Sequence, residues 1–152
     1  MSDFKRIVDV KLGANVRIYD FVNLYGCEIG DDCMIGTFVE IQRGVIIGHR
    51  CKIQSHSVIC TGVEIGDEVF IGHGVVFSND KYPRAAKDGR PAGIEDWTLL
   101  KTRVGRGASI GNNATILPGI EIGEGAMIGA GAVVSKSVPA GKTVLGAPMR
   151  FK

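Results

Sequence analysis

The chain has 152 residues, 22 of them glycine, with 22% charged residues and a formal net charge of +2. That length suits one domain with a continuous core, and the near-neutral balance gives no global signal for nucleic acid or a membrane surface. No run approaches the roughly 18–20 apolar residues of a bilayer span, and the polar start Met1-Ser2-Asp3 is not a secretory signal, so a cytoplasmic protein is expected.

Residues 1–10, with Phe4, Ile7 and Val8, are expected as a lead-in that covers the open end of a first coil, since a solenoid must cap its ends. Leu12, Ile18 and Leu24 then beat at six, with Val16 and Val22 as smaller partners. The step from Leu24 to Ile29 is five, so a residue is missing at a corner near Gly26 and the phase resets. From there Ile29, Ile35, Ile41, Ile47, Ile53, Ile59, Ile65, Ile71 and Phe77 keep the six-residue beat without a miss. Four residues after each anchor before Phe77 sits a smaller residue: Cys33, Val39, Val45, Cys51, Ser57, Val63, Val69 and Val75. Most anchors are followed by Gly and then a polar residue, which is corner chemistry.

Neither a 3.6 nor a simple 2 period describes this pattern, so helix and ordinary hairpin both fail. A six-residue unit with two inward positions is one flat strand plus one corner. Three units close a triangle of 18 residues, and triangles stack as parallel strands about 4.8 Å apart. The fold class is therefore all-β, a left-handed parallel β-helix. Cys33 and Cys51 fill inward slots, Cys27 and Cys60 lie elsewhere on the coil, and no CxxC pair occurs, so reduced thiols are expected.

After Phe77 the beat stops, and Val104, Ile110, Ile116, Ile122, Ile128 and Val134 restore it. Blocks of three, nine and six anchors make about six triangular coils within a single domain, 1–152. The intervening segment, about 78–103, holds Tyr82, Pro83, Pro91, Trp97, six Lys/Arg and four Asp/Glu. A loop beyond about 12–15 residues inside a regular array points to function. Because nine anchors complete three triangles, this extruded loop leaves at the third corner and returns to the first face. The tail 135–152 has Lys136, Lys142, Arg150 and Lys152 without an acidic residue, and Gly141 and Gly146 suggest a closing turn rather than another coil.

Deviations in a repeat are readable. Most corners are generic, but one reads Gln54-Ser55-His56 and the corner below it Gly72-His73-Gly74. The 18-residue step stacks His56 on Gly74, with Phe38 on its other side, which sets an imidazole beside a hollow with His73 as diagonal neighbour. Histidine can take a proton near neutral pH. His49, His56 and His73 lack the paired spacing of a zinc site, so no metal is predicted. At the start of the loop, Asn79, Asp80, Tyr82 and Arg84 combine groups suited to a sugar hydroxyl, a base and a phosphate. The basic tail suits a polyphosphate.

The repeats resemble the hexapeptide-repeat acyltransferases over essentially the whole chain. Asn23–Glu28, Lys52–His56, Phe70–Gly74 and Phe77–Arg84 are similar to bacterial nucleotide-linked 3-amino-deoxysugar 3-N-acetyltransferases in particular. The resemblance implies a homotrimer with active sites between subunits and acetyl-CoA as donor. It also implies that CoA lies along the C-terminal coils, with Gly111, Ala130, Ser135, Lys136 and Arg150 at matching positions. On this reading His56 is catalytic, and Gln54, His73, Asn79, Asp80, Tyr82 and Arg84 bind a dTDP- or UDP-linked amino sugar for surface polysaccharide (lipopolysaccharide O-antigen) synthesis. The sugar O-acetyltransferase branch, with its histidine in the loop, is disfavoured because residues 78–103 contain none. Met149 stands where Ala is usual. The competing readings are acyl transfer to another small amine or hydroxyl, and a non-catalytic scaffold, which should have uniform corners and short loops.

Overall fold

The computed structural model describes residues 4–152. Its chain winds into a parallel β-helix with three sheets as the sides of a prism. Sheet A stacks Arg6–Val8, Asn23–Tyr25, Glu40–Ile41, Val58–Ile59, Val76–Phe77, Thr115–Ile116 and Val133–Val134. Sheet B stacks Lys11–Leu12, Glu28–Ile29, Ile46–Ile47, Val63–Ile65, Thr102–Val104 and Glu121–Ile122. Sheet C runs from Arg17–Ile18 through Met34–Ile35, Lys52–Ile53, Phe70–Ile71, Ser109–Ile110 and Met127–Ile128 to Thr143–Leu145. The anchors point inward and form one core. Ile35, Ile41, Ile53, Ile59, Ile71, Ile110 and Ile116 are fully buried, and each such side chain contributes about 1.5–3 kcal/mol.

The smaller inward residues close the corners. Ser57 Oγ donates to the Gly72 carbonyl at 2.8 Å and accepts from the Val75 amide at 3.3 Å. Cys33 Sγ makes the same pair of bonds at the corner between sheets B and C, donating to Gly48 O at 3.1 Å and accepting from Cys51 N at 3.3 Å. All four cysteines are free and buried, and burial pushes the Cys27 and Cys60 thiols up to about 11.

Two expectations at the ends are corrected. The lead-in is a coil strand: Ile7 pairs in parallel with Leu24 and Val8 with Tyr25. Ile7 to Leu12 is a step of five, a second shortened corner like that at Gly26, and this takes the strand out of the six-residue beat. At the other end the tail first continues the helix instead of closing it. Val138 bridges to Ile122 and Val144 pairs in parallel with Ile128. Only then does Arg150–Phe151 turn back antiparallel on Val144–Leu145. These additions make the prism seven strands deep on sheets A and C rather than six.

Nearly every corner places a residue in the left-handed region, and most supply Gly, Asn or Asp. Bulky residues stand there at the B–C corner, Arg50 and Glu68 at φ 57° and 61°, and at the C–A corner, where Phe21, Phe38 and His56 stand at φ 61°, 57° and 64°. Bulky side chains pay about 1–3 kcal/mol to sit there, and such strain gathers at functional sites.

Candidate active site

The C–A corner builds a column. Phe4, Phe21, Phe38 and His56 stack ring upon ring, with centroids 4.9, 5.1 and 4.8 Å apart. The Phe38 and His56 planes lie within 22° of each other. The His56 backbone is held as well, its amide donating to Thr37 O at 3.0 Å. The side chain is exposed, so the imidazole is fixed on one face and open on the other.

On that open side the next rung is Gly74, whose amide donates to Ser55 O at 3.0 Å. The expected order of Phe38, His56 and Gly74 is thus observed. One coil beyond, Asn113 N donates to His73 O at 2.7 Å, and a Cβ built on Gly74 would run into Asn113 Oδ1. Asn113 ends the corner Gly111-Asn112-Asn113. Its place in the column becomes visible only once the step across the loop is known to be 39 residues, as in Glu64↔Arg103. The rest of the column gathers further expected residues. Gln54 and His73 flank His56 and Gly74, and Gly111 packs against Ala130, so closely that a Cβ on Gly111 would meet Ala130 N.

The loop stands at a different corner, as expected. Leaving sheet A after Phe77, it re-enters sheet B at Thr102. Its ends are stitched together: Asn79 Nδ2 donates to Thr61 O at 3.0 Å, Leu100 N donates to Asn79 O at 3.3 Å, and Thr102 N donates to Gly62 O at 3.0 Å. Asn79, expected to bind substrate, therefore spends one amide hydrogen anchoring the loop. Asp80 accepts from the Tyr82 amide at 2.8 Å and so shapes the first turn.

The remainder folds on itself as a hairpin, Ala86–Lys87 with Arg90–Pro91. Asp88 and Gly89 make its turn, both with positive φ, and Asp-Gly is a strong hairpin signal. Asp96 holds the hairpin down through a two-pronged pair with Arg90, at 2.6 and 3.0 Å, and accepts from Gly93 N at 2.8 Å. Asp80, Tyr82, Arg84, Lys87, Asp96 and Trp97 surround a cavity of about 80 Å³, and an open groove of about 350 Å³ adjoins it along Lys81, Tyr82 and Trp97.

The Arg90 hydrogen bonds, helped by the Gly93 amide and Lys87, hold the Asp96 carboxyl down to about 2. A depressed folded pKa means this contribution is complete above the unfolded value near 4 and is lost as pH falls toward 2. The emission of Trp97, the single tryptophan, should accordingly change between about pH 4 and 2. In Asp96→Asn the neutral-pH spectrum should already resemble the acid form. A wild-type spectrum that stays flat through that window would dissociate Asp96 from loop order.

The expected CoA positions divide in the same way. Gly111 and Ala130 lie at the C–A corner, whereas Ser135 and Lys136 follow Val134 at the A–B corner. The Ser135 amide donates to Met149 Sδ at 3.3 Å, and Met149 packs on the core, so the unusual methionine plugs the end of the prism. Lys136 Nζ lies 5.4 Å above the Phe151 ring. Arg150 is exposed beside a cleft of about 400 Å³ lined by 145–148 and 150–152. Among the described residues no cluster of His, Cys, Asp and Glu could hold a metal ion, and no helix is long and apolar enough to cross a membrane.

Known proteins share this architecture. The bifunctional protein GlmU of Ralstonia pickettii is 30% identical over 118 residues, which is 74% of this chain but 26% of that protein. The chain thus spans about a quarter of the length of the curated relatives it matches. Among solved structures, a variant of AntD, an N-acyltransferase from Bacillus cereus in complex with dTDP and coenzyme A, superposes with a TM-score of 0.80 at 22% identity, covering 93% of this chain and 82% of that one. A variant of GDP-perosamine N-acetyltransferase from Caulobacter crescentus, in complex with CoA and GDP-perosamine, superposes with a TM-score of 0.63 at 19% identity, over 97% and 57%. The model of the bacterial transferase hexapeptide (six repeats) matches residues 26–61, 44–79 and 101–136. Those matches take in more than half of the sequence, and the chain belongs to the bacterial hexapeptide transferase family.

Proposed function

We propose that this protein is an N-acetyltransferase that moves acetyl from acetyl-CoA to the amine of a nucleotide-diphosphate-linked amino-deoxysugar. The observation that carries the reading is the C–A column. Three strained corners are spent on stacking an exposed imidazole above a rung with no side chain of its own, which a scaffold has no reason to do. The ligands of AntD and of the perosamine enzyme support a CoA donor and a nucleotide-linked acceptor.

In this reaction the amine nitrogen attacks the thioester carbonyl. The C–N bond forms, the C–S bond breaks, and CoA leaves as a thiolate. His56 either accepts the proton the amine sheds or holds the amine in line, in which case the sulfur takes the proton. Backbone amides beside the thioester stabilise the oxyanion. Gly111 and Ala130 let CoA approach the backbone, and Lys136 and Arg150 meet its phosphates. Tyr82 and Arg84 take the base and diphosphate of the acceptor, with Asp80 on the sugar.

Both the acceptor set and the CoA set are split between the C–A and A–B corners, with the width of sheet A between them. A homotrimer supports both at once, because the C–A edge of one copy can face the A–B edge of the next. Exposed Phe38, Phe70 and Val76 would be covered by such packing. The setting is cytoplasmic synthesis of surface polysaccharide.

A thermal-shift panel of acetyl-CoA with dTDP- and UDP-linked amino sugars tests the reading. A ligand at 100 times its Kd adds about 2.7 kcal/mol of stability, so the true pair should raise Tm by several degrees. No shift with acetyl-CoA would remove the donor, and a shift with CoA but with no amino sugar would remove the acceptor.

A further inference from the structure

We infer that Glu40 is a substrate-contacting residue that receives the acceptor's amine as an ammonium, and that Gln42 positions its carboxylate. This rests on the function proposed above and names the group that makes the site prefer amines. Stacking on Phe38 closes one ring face of His56 to any ligand. The imidazole nitrogens lie on the ring edge, so a proton donor must approach from beside the column, in the plane of the ring. Sheet A lies on one such side. There Val58, two residues after His56, pairs with Glu40 of the preceding coil. Two residues at about 3.3 Å each and one coil step of about 4.8 Å set the Cα atoms of His56 and Glu40 about 8 Å apart. Both side chains point outward, which lets them meet on one small group.

Glu40 is a charge held in place without a counter-charge. Its Oε1 accepts from Gln42 Nε2 at 2.8 Å. Gln42 is fixed in turn: its Oε1 accepts from Thr61 N at 3.2 Å, and Thr61 O accepts from Asn79 at the root of the loop. Two outward glutamates of sheet B are treated differently, since Lys11 neutralises Glu28 at 2.6 Å and Arg103 neutralises Glu64 at 3.2 Å. Among the described residues no ion pair reaches Glu40. Arg6 is spent on Asn23 Oδ1 at 2.7 Å and lies 5.6 Å over the Tyr25 ring, and Arg43 lies over Gly26. Tyr25 also faces the carboxylate; burial first and the Glu40 charge second push its hydroxyl above the usual range, so it stays neutral. A half-buried carboxylate held by neutral donors is stabilised by a cation. The acceptor brings one at neutral pH, because such amines titrate at about pH 8, as α-amino groups do. Held there, the ammonium sheds one proton to the His56 edge, and the freed lone pair attacks the thioester. A hydroxyl acceptor carries no charge and gains nothing comparable.

The test compares a nucleotide-linked amino sugar with the same sugar bearing a hydroxyl in place of the amine, by isothermal titration without acetyl-CoA. The wild-type protein should bind the amino sugar roughly 10- to 100-fold more tightly, the size of effect expected for a hydrogen bond to a charged group. Glu40→Gln keeps an acceptor for Gln42 and removes the charge. Its preference should vanish, with Tm and KM for acetyl-CoA nearly unchanged. Gln42→Met keeps the bulk and loses both hydrogen bonds, and should lose part of the same preference. A ratio between two ligands does not move with a general loss of stability. In the wild type the preference should also fall as the amine loses its charge, between about pH 7.5 and 9.5. A preference that survives in Glu40→Gln, or one that stays flat with pH in the wild type, overturns the inference, and an unchanged ratio in Gln42→Met removes Gln42 from it. If the wild type binds neither sugar and acetylates none, the proposed function fails as well. If it acetylates the amino sugar while Glu40→Gln binds both sugars as the wild type does, only the inference fails.

Discussion

His56→Asn is expected to lower turnover by roughly 10²-fold or more while leaving the prism folded, if the imidazole is the base. Asparagine suits this test because the position is left-handed, at φ 64°, and Asn tolerates that backbone better than the native histidine does. The amide donation from His56 to Thr37 O is a backbone bond and survives the change. What is lost is the proton acceptor stacked 4.8 Å from Phe38. Near-normal kcat from pH 6 to 9, measured at saturating concentrations of both substrates, would remove His56 from the proton transfer and leave the CoA sulfur as its destination.

The second large effect is recovery of activity from two inactive proteins. His56→Asn disables the C–A edge, and a Tyr82→Ala/Arg84→Ala double variant disables the loop. Asn79 is left intact because it stitches the loop to Thr61, and altering it would confuse unseating with lost recognition. When the two variants are unfolded and reassembled in equal amounts, random trimers contain both halves intact in one cleft of four. About a quarter of wild-type activity should therefore return if the site is shared between copies. Mixed trimers that form yet remain inactive would place His56 and the loop of one chain in the same site, against the separation of the two corners.

What could be read from the sequence was whatever repeats with fixed phase. Ile29 through Phe77 specify three complete triangles, because an unbroken six-residue step keeps every anchor facing the core. From that phase alone follow the stacking of Phe38, His56 and Gly74 and the corner from which the loop departs. What broke phase was lost. Arg6–Val8 hid behind the short step from Ile7 to Leu12, and the final turn at Val138 and Val144 hid behind prolines and glycines that also fit a terminus. The hairpin is marked by Asp88-Gly89, a two-residue signal set within a segment whose other residues carry no strand alternation. Asn113 lies beyond the loop, where register depends on an insertion length that no local pattern reveals.

The stitch at the root of the loop separates two things that usually change together in an enzyme. Thr61, Gly62, Asn79, Leu100 and Thr102 seal the gap, so the coils on either side meet as if nothing had been inserted, with Val63 on Thr102 and Ile65 on Val104. Whatever lies between 80 and 99 is then invisible to the core. Lengthening such an excursion is cheap, since each doubling adds only about 0.6 kcal/mol of closure entropy. The excursion behaves as an exchangeable cassette: what it presents to solvent can drift by insertion, deletion or wholesale replacement of the hairpin while the prism, its histidine column and the C-terminal cleft beside Arg150 are inherited unaltered.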